Sequence, residues 1–384
     1  MSGPGAPNNG GDDDAAHPLG ALLLRAPQAL RHAAAYHVPR PAQILAKLDA
    51  NELPFSLPDE LRDGLATVLR AAELERYPDA SASALRAALA EDLGAAPEQL
   101  VFGNGSDELI AMLCSAFAAP RGERPAAIAY PVPTFVYYRI ATVTRGLAPV
   151  EVPLTARFEL DEPALIAAIE REDPSVVFLA LPNNPTGTLW RKEIALELAE
   201  RFPRTVIVSD EAYQAYSGET NLGALVPTVR WPNLVVMRTL SKVGLAGLRV
   251  GYLVAAPALA QHLEKVRPPY NLGSLPQAAA RFFLSTGAAW CQARAAEVVT
   301  QRGHLAAELA ERGFEVFPSA ANLLLVRTEA GRAHRIWQAL QDRGVLVRDF
   351  DRPGPLAGCL RITVGTAADH QILLETLDQV LRVV

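Results

Sequence analysis

"SVVFLALP", residues 175–182, is apolar at every position between its serine and its proline, and is shorter than most globular helices. A strand with one wet face would alternate apolar and polar residues. This one does not, so both of its faces must be covered. Similar runs stand at 126–131 ("AAIAYP"), 205–210 ("TVIVSD"), 233–241 ("NLVVMRTLS") and 250–255 ("VGYLVA"), the later ones rich in Val and bounded by Pro, Asn or Asp. Before them, "LPDELRDGLATVLRAA" (57–72) and "SASALRAALAEDLG" (81–94) repeat apolar residues at three- and four-residue steps, with Asp, Ser or Pro near the start and a breaker after the end. Doubly buried strands among amphipathic helices predict an α/β fold, a mainly parallel sheet between two helical layers. After about residue 272 long helical patterns lead to "GVLVRDF" (344–350) and "GCLRITVG" (358–365), which read as strands of a smaller α+β domain.

The first 18 residues, "MSGPGAPNNGGDDDAAHP", hold too little apolar surface to offset the entropy of ordering. The expected organisation is a disordered tail over 1–17, an arm over 18–45 joining the small domain, a large domain over 46–272 and a small C-terminal domain over 273–384. "GALLLRAPQAL" (20–30) is apolar for only a few residues and has no basic leader, so it reads as a packing arm, neither a signal peptide nor a membrane span. With 384 residues, half of them apolar and 20% charged, the chain can bury a large core. Its net charge of −6 and lack of a basic tract argue against nucleic-acid binding. The 3 cysteines, Cys114, Cys291 and Cys359, lack metal-ligand spacing and cannot all pair, which suits a reducing cytoplasm. The 7 histidines show no ligand spacing either, and no metal is expected.

Ligands of open α/β sheets sit outside the carboxyl ends of the strands. Polar residues just beyond the apolar runs are Asn183 and Asn184 in "LPNNPTG", Asp210 and Tyr213 in "VSDEAY", and Ser241 and Lys242 after "VVMRTL". An amide, a carboxylate and an amine therefore point at one crevice. Lysine is scarce: Lys47, Lys192, Lys242 and Lys265 are 4 of the 36 basic residues. Lys192 and Lys265 read as surface charges and Lys47 as a strand residue. Lys242 is then the candidate for Schiff-base chemistry with a pyridoxal cofactor, the alternative being a surface lysine after a strand. Asp210 suits the ring nitrogen, Asn184 and Tyr213 the ring oxygen, and Phe135 in "PVPTFVYY" the ring face.

The cofactor phosphate needs backbone donors and a cation. "VFGNGSDELIAMLCSAF" (101–117) reads as strand, glycine turn and helix, with Ser106 and Asp107 at the helix start, where they suit an anion or an ordinary N-cap equally. Arg249 offers the cation, and Thr239 and Ser241 offer hydroxyls. Arg361, inside the apolar run "CLRITVG", is costly to bury unless paired, either in an internal salt bridge or with a substrate carboxylate.

Taken together, "KLDANELPF", "RYPD", "GNGSDELI", "PTF", "NNPTG", "DEAY", "TLSKVGLAGLRVGY", "RPPYNL", "LVRDF" and "CLRITVGT" resemble the class II, fold-type I aminotransferases, and most of all the histidinol-phosphate aminotransferases, from about residue 36 to the end. The resemblance implies a large domain on a mainly parallel seven-stranded sheet, a smaller α+β domain, pyridoxal 5′-phosphate as cofactor, and a homodimer with shared active sites. It implies Lys242 as the Schiff-base lysine, Asp210 as the partner of the ring nitrogen, and Asn184 and Tyr213 at the ring oxygen. Ser106, Asp107, Thr239, Ser241 and Arg249 match phosphate contacts, Tyr77 reaches in from the neighbouring subunit, and Phe135 stacks on the ring. For substrate it implies Arg361 at the α-carboxylate and Arg348 at the phosphate of histidinol phosphate, with Tyr36 as helper and Asn51 as a further contact. The implied activity is transamination between histidinol phosphate or imidazole acetol phosphate and glutamate or 2-oxoglutarate in histidine biosynthesis. Aromatic or other amino-acid aminotransferases and a phosphothreonine decarboxylase share the scaffold. Two departures stand out: the link from Lys242 to Arg249 is one residue shorter than in many relatives, and "NELP" replaces the commoner N-E-N-P.

Overall fold

The computed structural model describes residues 43–218 and 229–384, with isolated positions at 22, 24, 25, 222 and 226. The expected tail and almost all of the arm, Tyr36 included, lie outside the described residues. In chain order the strands are β1 Ala46–Lys47, β2 Leu100–Asn104, β3 Ala127–Val132, β4 Ala148–Pro153, β5 Val176–Ala180, β6 Val206–Asp210, β7 Leu234–Thr239, β8 Val250–Ala255, β9 Glu315–Val316, β10 Leu323–Arg327, β11 Val345–Leu346, β12 Arg348–Asp349 and β13 Cys359–Thr363. Seven of them form one sheet in the order β2-β8-β7-β6-β5-β3-β4, in which β8 alone runs against its neighbours.

The unbroken apolar runs are explained by what covers the sheet. Along β5, Val177 and Leu179 enter a core shared with helices Ser83–Leu93, Glu162–Glu172 and Glu193–Arg201, while Val176, Phe178 and Ala180 enter a second core with helices Gly105–Ala116, Tyr137–Val143 and Pro257–Glu264. The same split recurs in β7, with Leu234 and Val236 on one side and Val235 and Met237 on the other. Both faces are dry, so neither needs polar residues. The sequence reading passes over β9 and β10 of the smaller sheet, described below, and one strand of this one. β4, "APVEVP", pairs only with β3, and its two prolines are tolerated because an edge strand leaves one row of backbone groups unpaired.

The remaining strands build a smaller unit. β12-β13-β10-β9 form an antiparallel sheet, and β1 pairs in parallel with β11. Ala46 and Leu48 pack there with Leu324, Val326, Ile336, Leu360, Ile362 and Leu377. Ala46 and Leu48, expected at the start of the large domain, thus pack in the core of the smaller unit, with Lys47 exposed between them. Their period-two burial is visible in the sequence, but a pairing partner some 300 residues away is not. "GVLVRDF" is two short strands rather than one. Among the described residues no helix is long and apolar enough to cross a membrane. Cys114 and Cys359 are buried and Cys291 half-buried, all as free thiols, and burial pushes Cys114 up to about 11.

Candidate active site

The sheet register brings the expected residues to one edge. Ala180 of β5 lies opposite Asp210 of β6, which lies opposite Met237 of β7, so the three chains leave the sheet side by side. β2 ends where antiparallel β8 begins, with Asn104 opposite Val250. Between these ends lies a cavity of about 230 Å³ whose walls include Asn184, Asp210, Tyr213, Lys242, Arg249 and Arg361. Ser106, Asp107, Phe135, Thr239, Ser241 and Asn51 also line it.

Asp210 is the buried acid of this cavity, 5% exposed. Its Oδ2 accepts from the Tyr138 hydroxyl at 2.6 Å and its Oδ1 from the Ala212 N–H at 3.1 Å. Burial pushes its pKa up to about 6, against the downward pull of those two hydrogen bonds. Lys242 sits in a single helical turn, Leu240–Lys242, directly after β7, with its amine 5.7 Å from the centre of the Tyr213 ring. The Tyr213 hydroxyl accepts from Asn51 Nδ2 at 2.9 Å. Asn51 adopts φ +53°, a left-handed conformation that Asn tolerates better than most residues. Its N–H donates to Thr363 Oγ1 and its carbonyl accepts from Asn322 Nδ2. The structure thus commits the Asn51 amide to holding Tyr213.

The glycine turn meets a cluster of hydroxyls and a guanidinium at one end of the cavity. The Asn104 side chain makes no capping hydrogen bond to the helix Gly105–Ala116. Asp107 Oδ2 accepts from Arg249 Nη2 at 3.0 Å, and Arg249 Nη1 donates to Ser241 Oγ at 3.2 Å. The Thr239 hydroxyl donates to Ser241 Oγ at 2.9 Å, and its oxygen accepts from the Ser241 N–H at 3.1 Å. Two glycines make this cluster possible. Gly105 turns at φ +74°, and a Cβ there would lie 2.5 Å from Arg249 Nη2. Gly251, which the sequence reading passes over, lets β8 press against the turn: a Cβ there would lie 2.5 Å from the Gly105 carbonyl carbon. Because the obstacle is backbone, Gly251→Ala is expected to destabilise the chain by roughly 1–3 kcal/mol. Denaturant midpoints with unchanged slope would show it, and an unchanged midpoint would mean the strand can back away.

Arg361, on β13 of the small sheet, reaches the same cavity. It is 9% exposed, donates from Nη1 to Asn184 Oδ1 at 2.7 Å and from Nη2 to the Asp49 carbonyl at 2.6 Å, and lies 5.7 Å from the Phe350 ring centre. With Oδ1 engaged, Asn184 keeps its NH₂ as a donor. Its neighbour Asn183 is buried and ties loops together, donating to the Pro133 carbonyl and accepting from the Thr134 hydroxyl.

Two expected residues are not gathered in. Arg348 pairs across the strands with Arg361, but its side chain lines a separate cavity of about 190 Å³ with Asp49, Trp337, Gln341 and Arg352. Asp49 walls both cavities. Tyr77 is 80% exposed and stacked on Tyr270, ring centres 4.6 Å apart. Phe135 does reach the cavity, with its ring edge-on to Tyr138. Tyr138 is the site residue that sequence reasoning misses. The signal was its place three residues after Phe135, on the same face of the turn.

The family profile for aminotransferase class I and II matches residues 43–377. The chain is 44% identical over 369 residues to the histidinol-phosphate aminotransferase of Paracidovorax citrulli, covering 94% of this chain and 98% of that protein. It is 42% identical over 348 residues to that of Chromobacterium violaceum, covering 90% and 94%. Among solved structures, the histidinol-phosphate aminotransferase from Sinorhizobium meliloti in complex with pyridoxal-5′-phosphate aligns with a TM-score of 0.79 at 28% identity, covering 88% of this chain and 91% of that one.

Proposed function

This chain belongs to the class I and II aminotransferase family, and from that premise we propose that it exchanges an amino group between L-histidinol phosphate and 2-oxoglutarate. The biosynthetic direction makes L-histidinol phosphate from imidazole acetol phosphate and glutamate, within histidine biosynthesis. The observation that carries the reading is one cavity lined by an amine, Lys242, a buried acid, Asp210, and an arginine, Arg361. The names of the relatives at 42–44% identity support the substrate.

The enzyme's cofactor is pyridoxal 5′-phosphate, which when bound supplies an electron sink for the carbon that carries the amino group. The residues present fit it. Asp210 is a carboxylate whose burial disfavours its charge, so it would gain from a cationic partner such as a protonated ring nitrogen. Arg249, the Ser241 and Thr239 hydroxyls and the N–H groups of Ser106 and Asp107 would hold the phosphate. Asn184 and Tyr213 would meet the ring oxygen, and Phe135 the ring face.

Lys242 Nζ, freed as an amine, takes the proton from the substrate carbon that bears the amino group and holds it as ammonium, a general base at a fixed point. Arg361 binds the α-carboxylate of glutamate through its planar fork, exchanging the Asn184 and Asp49 oxygens for those of the ligand. At about 230 Å³ the main cavity is smaller than the roughly 300–1,000 Å³ typical of drug-sized ligand sites, which supports a phosphorylated substrate that extends beyond it. The Arg348 cavity, which shares the Asp49 wall with the main one, suits that phosphate, with Tyr36 as a further contact, while Asn51 serves the main cavity through Tyr213. We assign residues 49–272 to the cofactor-binding domain and 273–384, with 46–48, to the small domain. The exposed Tyr77–Tyr270 stack supports a homodimer in which Tyr77 serves the neighbouring site. Three free cysteines suit a cytoplasmic location.

The test is a panel run on purified, cofactor-loaded enzyme: L-histidinol phosphate and aromatic amino acids with 2-oxoglutarate, and O-phospho-L-threonine with carbon dioxide detection. The expected result is glutamate formation with histidinol phosphate preferred. Carbon dioxide release from phosphothreonine as the faster reaction would replace the aminotransferase substrate with a decarboxylase one.

A further inference from the structure

Asp210 meets the cavity already engaged from behind. Each of its oxygens accepts one hydrogen bond, Oδ2 from the Tyr138 phenol and Oδ1 from the Ala212 N–H, so the carboxylate plane is fixed. Tyr138 is itself immobile. It is fully buried, stacks on Phe178 with ring centres 4.7 Å apart and planes 8° off parallel, and receives the edge-on Phe135 ring at 5.7 Å. Packing alone would accept a phenylalanine here, and a buried hydroxyl is costly unless it has a partner. Its partner is the acid. The phenol's own pKa is raised well above the ordinary value, chiefly by burial and then by the Asp210 charge, so it remains a proton donor at any working pH.

We propose that Tyr138 is a positioning residue for Asp210: its phenol holds one carboxylate oxygen in place and keeps the acid charged, so that an anion faces the cofactor ring. The inference rests on the cofactor role proposed above. The groups around the acid define what Tyr138 works against. Glu211, the next residue, and Asp107, on the helix Gly105–Ala116, both disfavour the Asp210 charge, as does burial. Tyr213 follows in the next turn, and Lys242 and Arg249 line the same cavity. Against these, the Tyr138 and Ala212 hydrogen bonds favour the charged form. With a pKa near 6 the acid is about nine-tenths ionised at neutrality. Loss of the phenol would move it towards half-ionised or less. The same ring touches Phe135, so one aromatic cluster aligns both the acid and the residue assigned to the ring face.

The experiment follows the Asp210 carboxyl by ¹³C NMR in the full-length, cofactor-free chain, assigned with Asp210→Asn, comparing wild type with Tyr138→Phe. The midpoint is expected to rise by roughly one to two pH units, the worth of a hydrogen bond to a charged group. In the loaded enzyme, kcat/KM is expected to fall by roughly two- to tenfold at neutral pH, in proportion to the lost charged acid, with the acid limb of the pH profile moving upward in step. An unchanged midpoint would overturn the proposal. Should Tyr138→Phe fold poorly, Phe178→Leu removes the stack but keeps the phenol; it should move the midpoint the same way by less, and no movement there would count equally against it. Because the titration needs neither cofactor nor substrate, it can fail or succeed independently of the substrate panel.

Discussion

Lys242→Ala is expected to lower kcat by roughly 10⁴-fold, the upper end of what a positioned proton-transfer group contributes. No other lysine can stand in. Lys47 is ion-paired to Asp49 and Glu52, and neither it, Lys192 nor Lys265 lines the cavity. The fold should survive, because the Tyr216 hydroxyl donates to the backbone carbonyl of residue 242, which alanine retains. Steady-state rates, together with partial rescue by a small exogenous amine, check this. A variant retaining a tenth of the wild-type rate would move the proton-transfer role to another group.

Asp210→Asn should separate catalysis from stability. The folded pKa of about 6 lies above the unfolded value near 3.8 because burial disfavours the charge. Between those values the folded chain binds more protons than the unfolded one, so the stability of the cofactor-free protein falls as pH rises through that window and stays lower above it. A shift of about two units corresponds to about 3 kcal/mol. Asparagine is neutral and can still accept from Tyr138, though its NH₂ then gives up the Ala212 hydrogen bond, so the cofactor-free variant is expected to be more stable than wild type at pH 7 by up to about 2 kcal/mol, with the advantage vanishing below pH 4. The loaded variant should nonetheless lose roughly 10²–10³-fold in kcat, the usual effect of deleting one preorganised electrostatic partner. Thermal melts across pH and steady-state rates measure the two sides. A variant less stable than wild type at pH 7 would mean that the acid is a structural brace.

Much of this arrangement is legible in the residues, for physical reasons. Strands covered on both faces announce themselves as unbroken apolar runs, and the rule that ligands gather beyond strand ends then picks out Asn184, Asp210 and Lys242, which line one cavity. The unread parts depend on partners distant in the chain. β4 hides because its prolines suit an edge, and being an edge is a property of the sheet. Ala46 and Leu48 join the small core through β11 and β13, some 300 residues further on. Arg348 sits opposite Arg361, yet its side chain takes a different cavity, which strand register does not determine. Tyr138 looks like ordinary aromatic filling until its hydroxyl is found against a carboxylate.

The reversed direction of β8 has one more consequence. Parallel neighbours need a crossover of a dozen or more residues, whereas an antiparallel neighbour is reached by a direct link. Residues 240–249 are that link, with the amine of Lys242 near one end and the guanidinium of Arg249 at the other. With the roles proposed above, a single stretch of covalent chain would act as a ruler, setting how far apart the reactive head and the anionic tail of a bound molecule can lie. Lengthening or shortening it would retune both grips at once.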